Sequence, residues 1–228
     1  MCSRFTLTAP DASQLALSLG VEPDAAFLEQ YRPRYNIAPT DQHWIVRSRH
    51  EERQLLAAGW GLRNNWQRYV KRPPQINARA ETLTERPAFR DAFRQRRCVI
   101  PADGFFEWTG PKQDRRPFWF HLTEGGLIYF AGMYESWRPT TSDAWQRTFT
   151  IITTKANAHM SPIHDRIPVL LSPDRIDDWL YEDAEEPLLW SLLTPPSDDT
   201  LMATPVSTRV NSVRNDDTAC LEPALTLF

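Results

Sequence analysis

Residues 117–137 read PFWFHLTEGGLIYFAGMYESW, and this stretch decides the fold. Its aromatic-rich halves favour extended chain, and Glu124-Gly125-Gly126 between them predicts a hairpin turn. Working outward, RRCVIPADGFFEW (96–108), RQLLAAGWGL (53–62), QHWIVRS (42–48) and RTFTIITT (147–154) also read as strands bounded by turn formers. Helices are fewer. Residues 11–20 pair a capping Asp11 with Gln14, place Leu15 and Leu19 on one face and end at Gly20. Further helices are predicted near 87–96, where Phe89 and Phe93 pair, from Ser172 onward with Pro173 in its first turn, and over PLLWSLL (187–193). Strands follow strands with helices inserted, so an antiparallel α+β domain is favoured over a parallel α/β one. No repeat or long linker interrupts the chain, and its 228 residues predict a single domain.

Composition narrows the function classes. A chain 41% hydrophobic with 9 Trp and 19 Pro is globular and turn-rich, not disordered. No apolar run approaches the roughly 18 residues of a membrane span, and no basic-then-apolar leader opens the chain, so a cytoplasmic protein without membrane contact is expected. Cys2, Cys98 and Cys220 are too scattered for a disulfide framework, and nothing in their spacing suggests a metal site; no metal or cofactor is expected. Cys98 reads as core and Cys220 as a tail residue. The net charge of -3 hides an asymmetry: ten basic against three acidic residues from Arg63 to Arg97, and eleven acidic against three basic from Asp174 to Asp217. Only Lys71, Lys112 and Lys155 are lysines among the 26 basic residues. Arginine is the better bidentate phosphate partner, though a GC-rich genome gives the same bias.

Cys2 has chemistry of its own. Without Met1 it presents an α-amine and a thiol on neighbouring carbons. An α-amine titrates near pH 7.7–8.0 and is partly neutral at physiological pH, unlike a lysine amine. Such a 1,2-aminothiol captures aldehydes: the amine condenses to an imine, and sulfur closes onto the same carbon as a thiazolidine. Two other readings stay open. A buried cysteine is often just a small hydrophobe, and an N-terminal thiol also serves amidases that pass through an acyl-enzyme.

Five short motifs, in order, narrow the choice: MCSRF at the start, RYNIAPT (34–40), INARAET (76–82), IPADGFFEW (100–108) and PIHDRIPVLL (162–171), with PVSTRVN (205–211) extending them. Together they resemble the SOS-response-associated peptidase (SRAP) family of abasic-site processing proteins. The resemblance implies a curved, barrel-like, mainly antiparallel sheet with flanking helices. It also implies binding of single-stranded DNA containing abasic sites, whose ring-opened sugar carries an aldehyde, by a monomer acting at damaged DNA in the nucleoid. Carried over residue by residue, Cys2 is the cross-linking nucleophile, Asn77 lies near the sugar, and Glu107 and His164 handle protons. Arg4, Arg79 and Arg166 fall where phosphates are held, and Trp66 and Trp108 where bases stack. Autocatalytic loss of Met1 and a weak lyase activity are further implications. Ser3 departs from the family's usual glycine.

Read without the resemblance, these residues have plainer roles. Glu107, between Phe106 and Trp108, is either an exposed strand carboxylate or a buried acid able to hold a proton. His164 relays protons or bonds Asp165, with His159 the nearest alternative. Asn77 suits a turn, and each arginine suits an ordinary surface.

Overall fold

The computed structural model describes residues 2–66, 73–111, 113–140 and 142–224. In chain order the strands among them are β1 (Phe5–Leu7), β2 (Arg34–Ile37), β3 (Gln42–Arg49), β4 (Glu52–Trp60), β5 (Asn77–Arg79) and β6 (Arg97–Ala102). There follow β7 (Gly104–Thr109), β8 (Arg116–Leu122), β9 (Ile128–Trp137), β10 (Gln146–Lys155), β11 (Arg166–Pro168), β12 (Leu170–Leu171) and β13 (Leu201–Pro205). The helices are α1 (Ala12–Ser18), α2 (Ala25–Gln30), α3 (Pro87–Gln95), α4 (Ile176–Leu180) and α5 (Glu186–Leu192).

Two sheets form. One runs β13-β8-β7-β1-β2 and is antiparallel throughout. The other closes on itself: β4, β3, β6, β9 and β10 pair in turn, and β10 returns to β4, with β5, β11 and β12 attached. This ring is the expected barrel-like α+β fold. Its parallel pairings, β4 and β5 each with β10, depart from the antiparallel rule.

The turn at 124–126 forms, with φ of +73° at Gly125 and +94° at Gly126, but the predicted hairpin does not. β8 pairs with β7 and β13, whereas β9 pairs with β6, β10 and β12. Burial explains the separation. β9 is buried along almost its whole length and needs cover on both faces, while β8 is only half-buried and suits an outer sheet. Likewise 96–108 is not one strand: β6 ends in the ring and β7 begins in the other sheet. Asp103 pins that crossing, accepting from Thr6 Oγ1 (2.5 Å), Thr8 N (2.5 Å) and Thr8 Oγ1 (2.6 Å). Gly104 must be glycine here, because a Cβ would stand 2.1 Å from Trp119 Nε1.

The helices largely follow the sequence. Asp11 caps α1 by accepting from Gln14 N at 3.0 Å, and Leu15 and Leu19 are buried. Pro173–Arg175 forms a 3-10 turn that continues into α4. The main core fills the space between the sheets, where Phe5 meets His43, Trp60 and Phe130 edge-on at centroid distances of 4.8, 4.9 and 5.9 Å. Cys220 is not a tail residue: it is buried in a second cluster with Phe106, Val206 and Val210.

Candidate active site

β1 belongs to the five-stranded sheet, and Cys2 just ahead of it is hydrogen-bonded to β5 of the ring sheet. Cys2 is 1% exposed. Its carbonyl accepts a hydrogen bond from Asn77 Nδ2 at 2.7 Å, and its thiol donates to the Arg4 carbonyl at 3.7 Å. β5 holds Asn77 because it pairs in parallel with β10, Asn77 opposite Ile151. Asn77 Oδ1 is buried with no hydrogen-bond partner among the described residues, so an acceptor stands beside the Cys2 backbone. Burial, and then the negative charge of Glu107, push the Cys2 thiol far above its usual range, so at rest it is the protonated thiol.

Glu107 comes from β7, the neighbour of β1. Phe5 pairs with Phe105, and Phe106 N donates to the Arg4 carbonyl at 2.9 Å, which brings the next β7 residue alongside the start of the chain. Glu107 is 4% exposed, the buried alternative of the two its sequence allowed. Ser3 adopts no positive φ, so glycine's conformational freedom is not required there.

Arg4 is half-buried. Its Nη1 donates to Asn36 Oδ1 (3.0 Å) and to the Val210 carbonyl (2.9 Å), and its guanidinium stands 5.8 Å from the Trp108 ring centroid. Trp108 Nε1 in turn donates to Asn211 Oδ1 at 2.6 Å. Asn36, 1% exposed, also donates to the carbonyls of Val210, Ser212 and Asn215, fastening the 210–215 segment beside the site. Arg34 and the backbone of Tyr35 and Asn36 hold that segment a second time through Asp216.

The second group lies farther along β10. Thr153 is opposite Arg79 on one side and Pro168 on the other. Arg79 is exposed and makes no side-chain hydrogen bond or ion pair among the described residues. Arg166 is buried: it grips Glu81 with both Nη atoms (2.6 and 2.9 Å) and donates to the Thr153 carbonyl at 2.5 Å. Its guanidinium is thus already paired with a carboxylate. That pairing holds the Glu81 carboxyl below the usual carboxylate range. His164 Nδ1 accepts from Arg166 N at 2.9 Å, which puts the ring proton on Nε2 in the neutral form. The exposed Asp165 carboxylate is 3.0 Å from the same Nδ1 and becomes an ion-pair partner only when the ring is doubly protonated. His159 is exposed, its ring 6.3 Å from Phe120. Trp66 is 61% exposed, at the edge of the described chain.

The structure therefore joins Cys2, Arg4, Asn77, Glu107 and Trp108 in one place and sets Arg79, His164 and Arg166 together on a neighbouring one. Asn36 and Glu81 were missed as site residues, although each stands in a quoted motif; a polar residue inside an apolar strand and an acid two residues from an arginine were the available signals. No group of three or more metal-ligating side chains occurs among the described residues, and no helix of theirs is long and apolar enough to cross a membrane.

Comparison with known proteins is consistent across most of the chain. The family model "SOS response associated peptidase (SRAP)" matches residues 1–213. The abasic site processing protein YoqW of Bacillus subtilis is 37% identical over 228 residues, covering 97% of this chain and 99% of its own. The abasic site processing protein YedK of Escherichia coli is 30% identical, over 80% of this chain and 81% of its own. A crystal structure of a Bacteroides thetaiotaomicron protein superposes with a TM-score of 0.86 at 24% identity, covering 98% of this chain and 100% of its own.

Proposed function

Because this chain belongs to the SOS response-associated peptidase (SRAP) family, we propose that it processes abasic sites in single-stranded DNA by forming a covalent cross-link through Cys2. The observation that carries the reading is the Asn77–Cys2 hydrogen bond beside a buried Glu107. The Cys2 backbone is held by Asn77, and the buried Glu107 side chain stands close enough to act on it electrostatically.

The chemistry follows from those positions. Once Met1 is removed, the Cys2 amine adds to the C1′ aldehyde of the opened sugar. The carbinolamine loses water, with Glu107 supplying the proton to the departing hydroxyl. Sulfur then adds to the imine carbon, its proton passes to the imine nitrogen, and a five-membered thiazolidine remains. A thiol kept protonated suits this order, in which nitrogen attacks first. An N-terminal amidase would instead pass through an acyl-enzyme on the Cys2 sulfur. His164 Nε2 would exchange a proton with the sugar oxygens as the ring opens, Arg4 and Arg79 would hold flanking phosphates, and Trp66 and Trp108 would stack on bases. Arg166 would act on phosphate only by sharing its guanidinium with Glu81, and otherwise aligns His164. Self-cleavage of Met1, with Glu107 and His164 taking part, and a weak lyase reaction through the imine belong to the same proposal, as does action as a cytoplasmic monomer.

The test is denaturing electrophoresis and intact mass after incubation with single-stranded DNA carrying one abasic site. The expected product is a heat-stable adduct whose mass is protein lacking Met1 plus DNA minus one water. Cys2→Ala, which keeps an amine, should give no heat-stable adduct and more strand cleavage. No adduct from wild type shown to lack Met1 would overturn the proposal.

A further inference from the structure

Among the described residues two tryptophans are left largely exposed, Trp66 at 61% and Trp145 at 62%. Each lies within three residues of a groove of about 280 Å³ lined by Thr40, Gly61, Arg63, Pro74, Trp137 and Arg147, among others. The groove has a repeated construction. The Arg63 guanidinium stands 5.3 Å from the Trp137 ring centroid, and the Arg138 guanidinium 5.6 Å from that of Trp145. Arg138 and Arg147 are both exposed, and neither forms an ion pair among the described residues; Asp143 is the one acid in the loop between them. An exposed indole backed by a guanidinium is a poor surface to leave in water, and a good one for a flat ring attached to a phosphate.

The groove and the candidate site are built on the same strand, β10. Trp60 Nε1 donates to the Ile76 carbonyl at 2.9 Å, one residue from Asn77, and Arg63 N donates to Thr148 Oγ1 at 3.0 Å. Along β10 and the residue before it, Ile151, the residue opposite Asn77, lies six positions beyond Trp145. At strand spacing this is about 20 Å. Stacked nucleotides rise about 3.4 Å each, so roughly six of them, or fewer when extended, cover the distance.

We propose that this groove is a second DNA-binding segment, which holds nucleotides flanking the lesion by stacking on Trp145 and by phosphate contacts to Arg138 and Arg147. The inference rests on the single-strand reading above and adds a place for the undamaged part of the strand. Stacking on an indole tolerates any base, so the segment confers grip and not sequence preference.

The experiment compares wild type, Trp145→Ala, Arg138→Gln and, as a distant charge control, Arg175→Gln. Each is assayed for cross-linking rate below saturation on two abasic strands, one with about ten flanking nucleotides on each side and one with about two. Binding to an undamaged single strand is measured in parallel by fluorescence anisotropy. Expected are a roughly tenfold loss on the long strand and in undamaged-strand affinity for Trp145→Ala, a smaller loss for Arg138→Gln, and wild-type rates for both on the short strand. Equal behaviour of Trp145→Ala and wild type on long strands, or equal losses on long and short, would overturn the proposal. If wild type forms no cross-link at all, the functional reading fails instead, and the anisotropy comparison still decides whether the groove binds DNA.

Discussion

Cys2 and His43 are both deeply buried, and burial moves their ionisation in opposite directions. Loss of water disfavours the charged form of each, so the Cys2 thiol rises while the His43 imidazole falls to about 4. The neutral His43 ring lies edge-on to Phe5, with Nε2 2.9 Å from the Pro101 carbonyl, to which it donates. The folded protein resists protonating this ring, whereas the unfolded chain takes up the proton near pH 6.5. The stability it confers is therefore complete above pH 6.5 and is lost as pH falls toward 4, up to on the order of 3 kcal/mol. Urea unfolding of wild type and His43→Gln across that range checks it: the mutant curve should be flatter. Thr40 is unusual in its backbone, with φ +79°, rare for a β-branched side chain; its N–H donates to the Trp60 carbonyl at 2.8 Å beside the groove. At this scale residue type picked out Cys2 and Glu107 as groups that could carry chemistry, and the structure brings the two together. The surroundings of Arg166 were not legible: an arginine in a motif looks the same whether it stands open or is gripped by Glu81.

Among the elements, the ends of α3 and α4 share one device. Arg97, buried at the start of β6, donates to the carbonyls of Phe93 (2.9 Å) and Arg94 (2.5 Å) at the end of α3. On the other side it reaches Trp179 (2.8 Å), Tyr181 and Glu182 (3.3 Å) at the end of α4. Helix C-termini leave carbonyls without partners, and one guanidinium here satisfies two such ends. Arg97→Met should lower stability by on the order of 3 kcal/mol, read from the urea midpoint, while the far-ultraviolet dichroism of the folded mutant is kept. Local signals gave up the elements well. Asp11 with Gln14 announced α1, and the Phe89–Phe93 pair announced α3. α2 passed unnoticed because it is six residues long, although Asp24 caps it through Phe27 N at 2.7 Å. Which sheet a strand joins was not local. The two halves of 117–137 look alike in composition, and only their different burial sends them to different partners.

For the whole molecule, charge distribution matters more than net charge. The -3 total would repel a polyanion, yet Arg79, Arg138 and Arg147 are exposed. Binding of an undamaged single strand should therefore weaken steeply with salt. Each phosphate contact contributes about 0.7 to the slope of log affinity against log salt, so Arg79→Gln should reduce that slope by about 0.7. A titration from low to physiological salt reads it directly, and an unchanged slope would remove Arg79 from the interface. The Gly125-Gly126 turn has a different consequence. A Cβ on either glycine would meet nothing within 4 Å, and the turn joins the two sheets without pairing its flanking strands. A chain severed between them would leave β1 to β8 on one piece and β9 to β13 on the other. Neither piece can close the ring, and each lacks part of the outer sheet. The two halves can become a protein only by finding each other, and so form a split reporter whose signal, on the proposed chemistry, is the cross-link.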